Sequence, residues 1–317
     1  MKAIQFFAIT ALGAALFASC SNQEELATGS YPSDNLIRVT AGVNNDMTRS
    51  DEAVTPTSLT KNFSLTVVNN TNDNFSYVNE IFSLNGTEWS CGKNLLWQNL
   101  STPVEIVALY PATNDNTFSG VYSKENKSYG TITYGVNPDQ STADDDANDL
   151  LLYHNASYVP ENDRKDGKLN IQFDHAFCRV DIEVIIGTEF NATDGLAVNP
   201  IQRIRVEGTK TTADISFAST EPFFTVTPSE SGDAASITPT RRDFTPAANA
   251  TEQAVAKYSC IVIPQTADLK VLLHTSDKEF EWTGTKMALE SGKQYTLQLN
   301  MTNKSATARK FILRERK

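Results

Sequence analysis

Past the first twenty residues, hydrophobic and polar positions alternate with a period of two, and no helical period is sustained. This is the pattern of strands with one buried and one wet face. Ile37, Val39, Ala41 and Val43 alternate with Arg38, Thr40 and Gly42, and Phe63, Leu65 and Val67 alternate with Ser64 and Thr66. Leu169, Ile171 and Phe173 face away from Asn170, Gln172 and Asp174, and Val180, Ile182, Val184 and Ile186 oppose Arg179, Asp181 and Glu183. Tyr295, Leu297, Leu299 and Met301 repeat the pattern near the end. Val104 to Tyr110 and Tyr258 to Ile263 are more continuously apolar, which predicts central strands covered on both faces.

Turn chemistry separates these runs. Asn85-Gly86 predicts a hairpin, because both residues tolerate the positive φ of a type I′ turn. Asp166-Gly167, Asp194-Gly195 and Ser291-Gly292 are further breaks. Short strands punctuated in this way read as all-β, in β-sandwiches. The polar stretch from Glu161 to Lys168 is the preferred boundary between one sandwich at 51–165 and another at 166–317, with a hairpin loop as the alternative. No solenoid repeat and no coiled-coil heptad is present.

Hydrophobic content of 40% and aromatic content of 9% are those of a globular chain, and 317 residues suffice for two cores. The formal charge of -11, from 38 acidic and 27 basic residues, argues against nucleic acid as a partner, since binding a polyanion relies on a basic surface.

The N-terminus adds a compartment. Lys2 precedes an apolar stretch, Ile4 to Phe17, that stops at Ala18-Ser19-Cys20 and is followed by Ser21-Asn22-Gln23-Glu24-Glu25. This resembles a bacterial lipoprotein signal peptide over 1–19, which implies cleavage before Cys20 and acylation there, with Phe17 where Leu is usual. Burial of acyl chains at about 0.8 kcal/mol per CH₂ would hold the protein on a membrane. Residues 20–50 then form a lipidated tether leading through the first strand. Removing Cys20 leaves Cys91, Cys178 and Cys260, an odd number that excludes a disulfide scaffold.

Candidate chemistry is sparse. His154, His175 and His274 belong to no H-x-x-x-H or H-E-x-x-H motif and to no G-x-S-x-G neighbourhood, and His175 reads as a hydrogen-bonded structural residue. Asp144-Asp145-Asp146 with Asp149 lacks the glycine turn and distal glutamate of an EF-hand, so a solvated loop is the reading over a metal site. No cofactor motif appears. Trp89, Trp97 and Trp282 are candidates for a sugar-stacking platform; Trp97 beside Leu95 and Leu96 reads as core, and Trp282 as the one best placed for exposure.

Four ordered pieces together resemble the fimbrillin family of Bacteroidetes, the Mfa-like and FimA-like type V pilin lipoproteins. They are the lipobox at Cys20; Thr48-Arg49-Ser50 after the first strand; Asp149-Leu150-Leu151 followed by Ile171-Gln172-Phe173-Asp174-His175-Ala176; and Ile263-Pro264-Gln265-Thr266 followed by Ser291-Gly292-Lys293-Gln294-Tyr295. The resemblance implies two transthyretin-like antiparallel β-sandwiches and a cell-surface location, with an outer-membrane lipid anchor on the precursor. It further implies a structural and adhesive role in a fimbria, without catalysis or cofactor, among other fimbrial subunits and a host or bacterial receptor. In that family a trypsin-like protease cuts after an arginine, releases the first strand, and a neighbour's strand fills the groove. Carried onto this chain, the cut falls at Arg49, with Arg38 as the alternative inside the strand pattern. The donor is the terminal segment, with Phe311 and Leu313 on one face and Ile312 on the other. The ending Arg314-Glu315-Arg316-Lys317 departs from the apolar, Trp-bearing ending of many relatives and favours an anchor or accessory subunit. The remaining reading is a surface lipoprotein that binds glycans and never polymerises.

Overall fold

The structure is a computed structural model, and it describes residues 34–43, 59–112, 121–142, 148–218, 220–232 and 234–315. The expected signal peptide, Cys20, Arg49 and the acidic run Asp144–Asp146 lie outside the described residues.

Among the described residues the regular structure is almost wholly strand. In order they are β1 (Val39–Val43), β2 (Phe63–Val68), β3 (Tyr77–Asn85), β4 (Glu88–Ser90), β5 (Val104–Tyr110), β6 (Tyr122–Ser123), β7 (Ser128–Tyr129), β8 (Thr131–Gly135), β9 (Leu151–Tyr158) and β10 (Leu169–His175). There follow β11 (Cys178–Ile186), β12 (Arg203–Lys210), β13 (Thr212–Phe217), β14 (Phe224–Pro228), β15 (Ala234–Ile237), β16 (Thr240–Thr245), β17 (Ala254–Val262), β18 (Gln265–His274), β19 (Glu279–Leu289), β20 (Lys293–Met301) and β21 (Ala306–Glu315).

The N-terminal strands close into a barrel in the order β1-β10-β9-β5-β2-β3-β4, rather than leaving two separate sheet faces. Closure depends on β1. It pairs with β10 over five residues, Val39 opposite Leu169 through Val43 opposite Phe173, and meets β4 where Val39 lies opposite Trp89. The interior is filled by Phe63, Leu65, Phe82, Leu95, Trp97, Ile106, Tyr110, Tyr158 and Phe173. Phe63 stacks on Phe82 at 5.2 Å and meets Phe173 edge-on at 5.8 Å, the offset and edge geometries that aromatic quadrupoles favour.

The C-terminal strands make a five-stranded sheet, β16-β17-β11-β20-β21, and a four-stranded sheet, β15-β12-β18-β19. Val180, Ile182, Leu297 and Leu299 from the first share one core with Ile204, Val206, Val271 and Leu273 from the second. A third sheet, β14-β13-β8, joins the same core through Ala213, Ile215 and Ile132.

Two features depart from separate antiparallel sandwiches. Antiparallel pairs dominate, but β1–β10 and β11–β20 are parallel. Each joins strands more than a hundred positions apart, so no hairpin dictates their direction. The two cores also share a wall. On β5, Val104, Ile106, Ala108 and Tyr110 point into the barrel, while Val107 and Leu109 belong to the second core. All seven β5 residues are buried, the apolar ones as their nearly continuous run predicts and Glu105 with them. β17, between β16 and β11, is likewise buried throughout Tyr258–Val262.

Residues 161–168 lie between β9 and β10. One helical turn, Pro160–Asp163, precedes a tight turn in which Asp166 and Gly167 take φ of 52° and 72° and Lys165 and Lys168 exchange backbone hydrogen bonds. Val121, Ile132, Tyr134, Val136 and Leu150, all before this turn, belong to the second core, and Leu169, Ile171 and Phe173, after it, belong to the barrel core. The hairpin expected at Asn85-Gly86 forms with its loop one place on, since Asn85 already pairs with Glu88 and Gly86 alone takes positive φ, 66°.

Candidate strand-exchange site

The segment from Asn35 to Val43 is a plug. Its alternation puts Ile37, Val39 and Val43 into the barrel core, at 6%, 4% and 8% exposure, with half-buried Ala41 on the same side. Its backbone is held along both edges. Ile37 N–H donates to Leu95 O at 2.9 Å, Trp97 N–H donates to Asn35 O at 2.7 Å, and Leu169 N–H donates to Arg38 O at 2.8 Å. Withdrawal of this segment would leave donors and acceptors on β10 and beside β4 unpaired, over an apolar slot floored by Phe63, Phe173, Leu95 and Trp97.

Arg38 sits within the ladder. Its carbonyl accepts from Leu169, so the peptide bond after it is tied into the sheet, and its guanidinium forks onto Asp34 at 2.6 and 2.8 Å. That guanidinium holds the Asp34 carboxyl below its ordinary range. These contacts shield Arg38 and disfavour it as a cleavage point. Arg49 falls in the interval between Val43 and Leu59, outside the described residues.

Phe311, Ile312 and Leu313 lie in β21, the edge strand of the five-stranded sheet, paired along its length with β20. The two faces are as the alternation predicts. Phe311 lies opposite buried Leu297 and stacks on Tyr295 at 5.4 Å, Leu313 lies opposite Tyr295, and Ile312 lies opposite Thr296. The inner face is incompletely covered, with Leu313 52% exposed. The outer edge of β21 carries no strand among the described residues, and Arg309, Lys310 and Arg314 lie along it.

The other sequence candidates separate. Trp97 is buried and stacked on Tyr158, and Trp89 packs edge-on to Phe63, both in the barrel. Trp282, expected to be exposed, is half-buried against the second core, because Gly284 has no side chain and lets the indole lie over it. The three indoles do not form one platform. His175 is buried with Nδ1 2.6 Å from Asp149 Oδ2, a structural pair. Cys91 is half-buried, Cys178 and Cys260 are buried, and Cys178 donates to Val262 O at 3.0 Å.

The surroundings of His154 were not visible in the sequence. His154 is 8% exposed at the side chain, holds Glu105 Oε1 at 2.8 Å through Nε2, and stacks flat on Phe223 at 3.6 Å. It lines an open cavity of about 580 Å³. The residues that make this cavity come from five separate stretches, and no local motif marks it.

The fold is shared with solved proteins of adhesion and fimbriae. The chain is similar to a candidate cell adhesion protein from Bacteroides ovatus, with a TM-score of 0.60 and 14% identity over 90% of this chain and 98% of that one. It is similar to a second from Bacteroides uniformis, at 0.56 and 13% over 89% and 99%. A fimbrial protein from Bacteroides vulgatus aligns at 0.54 and 15% over 88% and 99%. No curated protein matches the sequence. The family profile described as fimbrillin-like matches residues 48–311, and the chain belongs to that family.

Proposed function

We propose that this chain is a fimbrial subunit, structural and adhesive rather than catalytic, that assembles at the cell surface by exchange of β-strands. The precursor travels as a lipoprotein acylated at Cys20 and anchored in the outer membrane. Cleavage after Arg49 frees Asn35–Val43, and a strand from a neighbouring subunit takes the vacated slot. The observation that carries this reading is that one segment, with three buried side chains and backbone bonds on both edges, closes the barrel. Family membership supports it.

The terminal segment bearing Phe311, Ile312 and Leu313 is the donor in this scheme. Its slot and its own position lie at different places on one subunit, so successive contacts are heterologous and generate an open filament. A second reading is favoured by the basic side chains along β21 and its full pairing with β20: an anchor or accessory subunit that accepts a strand but donates poorly.

Mass spectrometry of the N-terminus in filaments sheared from cells tests the scheme. A chain beginning at Ser50 is expected; an intact acylated Cys20 in assembled polymer indicates the anchor form, and absence of the chain from filaments overturns the subunit reading.

A further inference from the structure

The cavity beside His154 presents a one-sided set of charged groups. Asp174, Glu221 and Glu290 line it, and among the described residues no Lys or Arg does. His154 Nε2 lies 2.8 Å from the Glu105 carboxylate, and Nδ1 is the ring nitrogen on the side of Glu221. That atom has no hydrogen-bond partner among the described residues; Glu221 Oε1, its nearest charged neighbour, is 3.7 Å away and is itself only an acceptor when ionised. The Ser291 hydroxyl is already given to Ala176 O. The Tyr153 hydroxyl stays neutral, since burial raises it above its ordinary value. Three lining carboxylates call for a ligand with several donors and positive charge, and the flat His154–Phe223 stack offers a surface for a planar one.

The cavity also opens beside an unfinished sheet. Phe224 and Val226 of β14 line it, and β14 pairs only with β13, so its other edge is open among the described residues. An open strand edge supplies main-chain donors and acceptors to an extended peptide. A volume of about 580 Å³ exceeds what one guanidinium fills and suits a side chain with part of its backbone.

We infer that this cavity is a docking site for an extended segment of another polypeptide, which adds to the edge of β14 and places an arginine among Asp174, Glu221, Glu290 and His154. The site is independent of the β1 slot, and its test stands whether or not strand exchange occurs.

The test uses a chain beginning at Ser21, complete to Lys317, and a fluorescein-labelled probe peptide of sequence TVTRVTV, with anisotropy as the readout. Saturable binding is expected, weaker by about tenfold when citrulline replaces the arginine or when the protein carries Glu221→Gln with Glu290→Gln, as charge-assisted hydrogen bonds of this kind imply. Both carboxylates are exposed, so the variant is expected to melt like its parent. Equal binding of the arginine and citrulline peptides, or of parent and variant, overturns the proposal, as does absence of binding. Displacement of the probe by agmatine at the peptide's own affinity makes this a small-molecule site instead, which also overturns it. Tighter binding by a chain ending at Leu313 makes the chain's own basic end the occupant, with the same consequence.

Discussion

A chain trimmed to begin at Ser50 melts at least roughly 10 °C below one that begins at Ser21, measured by circular dichroism on otherwise identical samples. The trimmed chain lacks Ile37, Val39 and Val43, each more than nine-tenths buried. Apolar side chains of this size contribute about 1.5–3 kcal/mol each on burial, and loss of the strand also leaves backbone groups of β10 and of residues 95–97 unpaired beside an open apolar slot. A net loss of several kcal/mol is large against the roughly 5–15 kcal/mol by which whole domains are stable. The second core contains none of the three residues, so the loss falls on the barrel. An unchanged melting temperature would mean that the segment is a passenger on a barrel closed by other means.

Phe173→Ala is expected to cost about 3–5 kcal/mol, read from urea unfolding, because the truncation leaves a cavity that neighbours fill only in part. Phe173 is fully buried, meets Phe63 edge-on at 5.8 Å and lies 6.1 Å from Tyr110. It is also opposite Val43 in the β1–β10 ladder, so its loss loosens the slot from the side of the fixed strand. Val198→Ala is the control. Val198 is 75% exposed, and its truncation should change stability by no more than about 0.5 kcal/mol.

Much of this architecture was written in the alternation. Val39 to Val43, Leu169 to Phe173, Val180 to Ile186 and Tyr295 to Met301 each form the strand and bury the face that period two assigns to them. The continuous runs in β5 and β17 are central and covered on both sides. Pairing partners were not legible, because alternation sets which face is buried without naming the neighbour. Hence nothing marked β1 and β10 as parallel partners, or β5 as a wall shared between cores. β16 was invisible for another reason. Thr240–Thr245 reads Thr-Arg-Arg-Asp-Phe-Thr, and as an edge strand it needs little apolar surface.

The site divides in the same way. The plug and the two faces of the terminal segment follow from local spacing, so Ile37, Val39, Phe311 and Leu313 could be placed from sequence. The His154 cavity could not, since Glu105, Asp174, Glu221 and Glu290 converge on it only through the packing of the barrel wall against β14 and the turn before β20.

Strand replacement has a direct test in peptide capture. The chain beginning at Ser50 is mixed with a synthetic peptide of residues 306–315 and, separately, with one of residues 34–43, and followed by native mass spectrometry with hydrogen exchange. A replaceable first strand predicts one-to-one complexes in which the amides of β10 and of residues 95–97 regain protection. A trimmed chain that stays stable and monomeric, takes up neither peptide and shows the same exchange with and without them contradicts it.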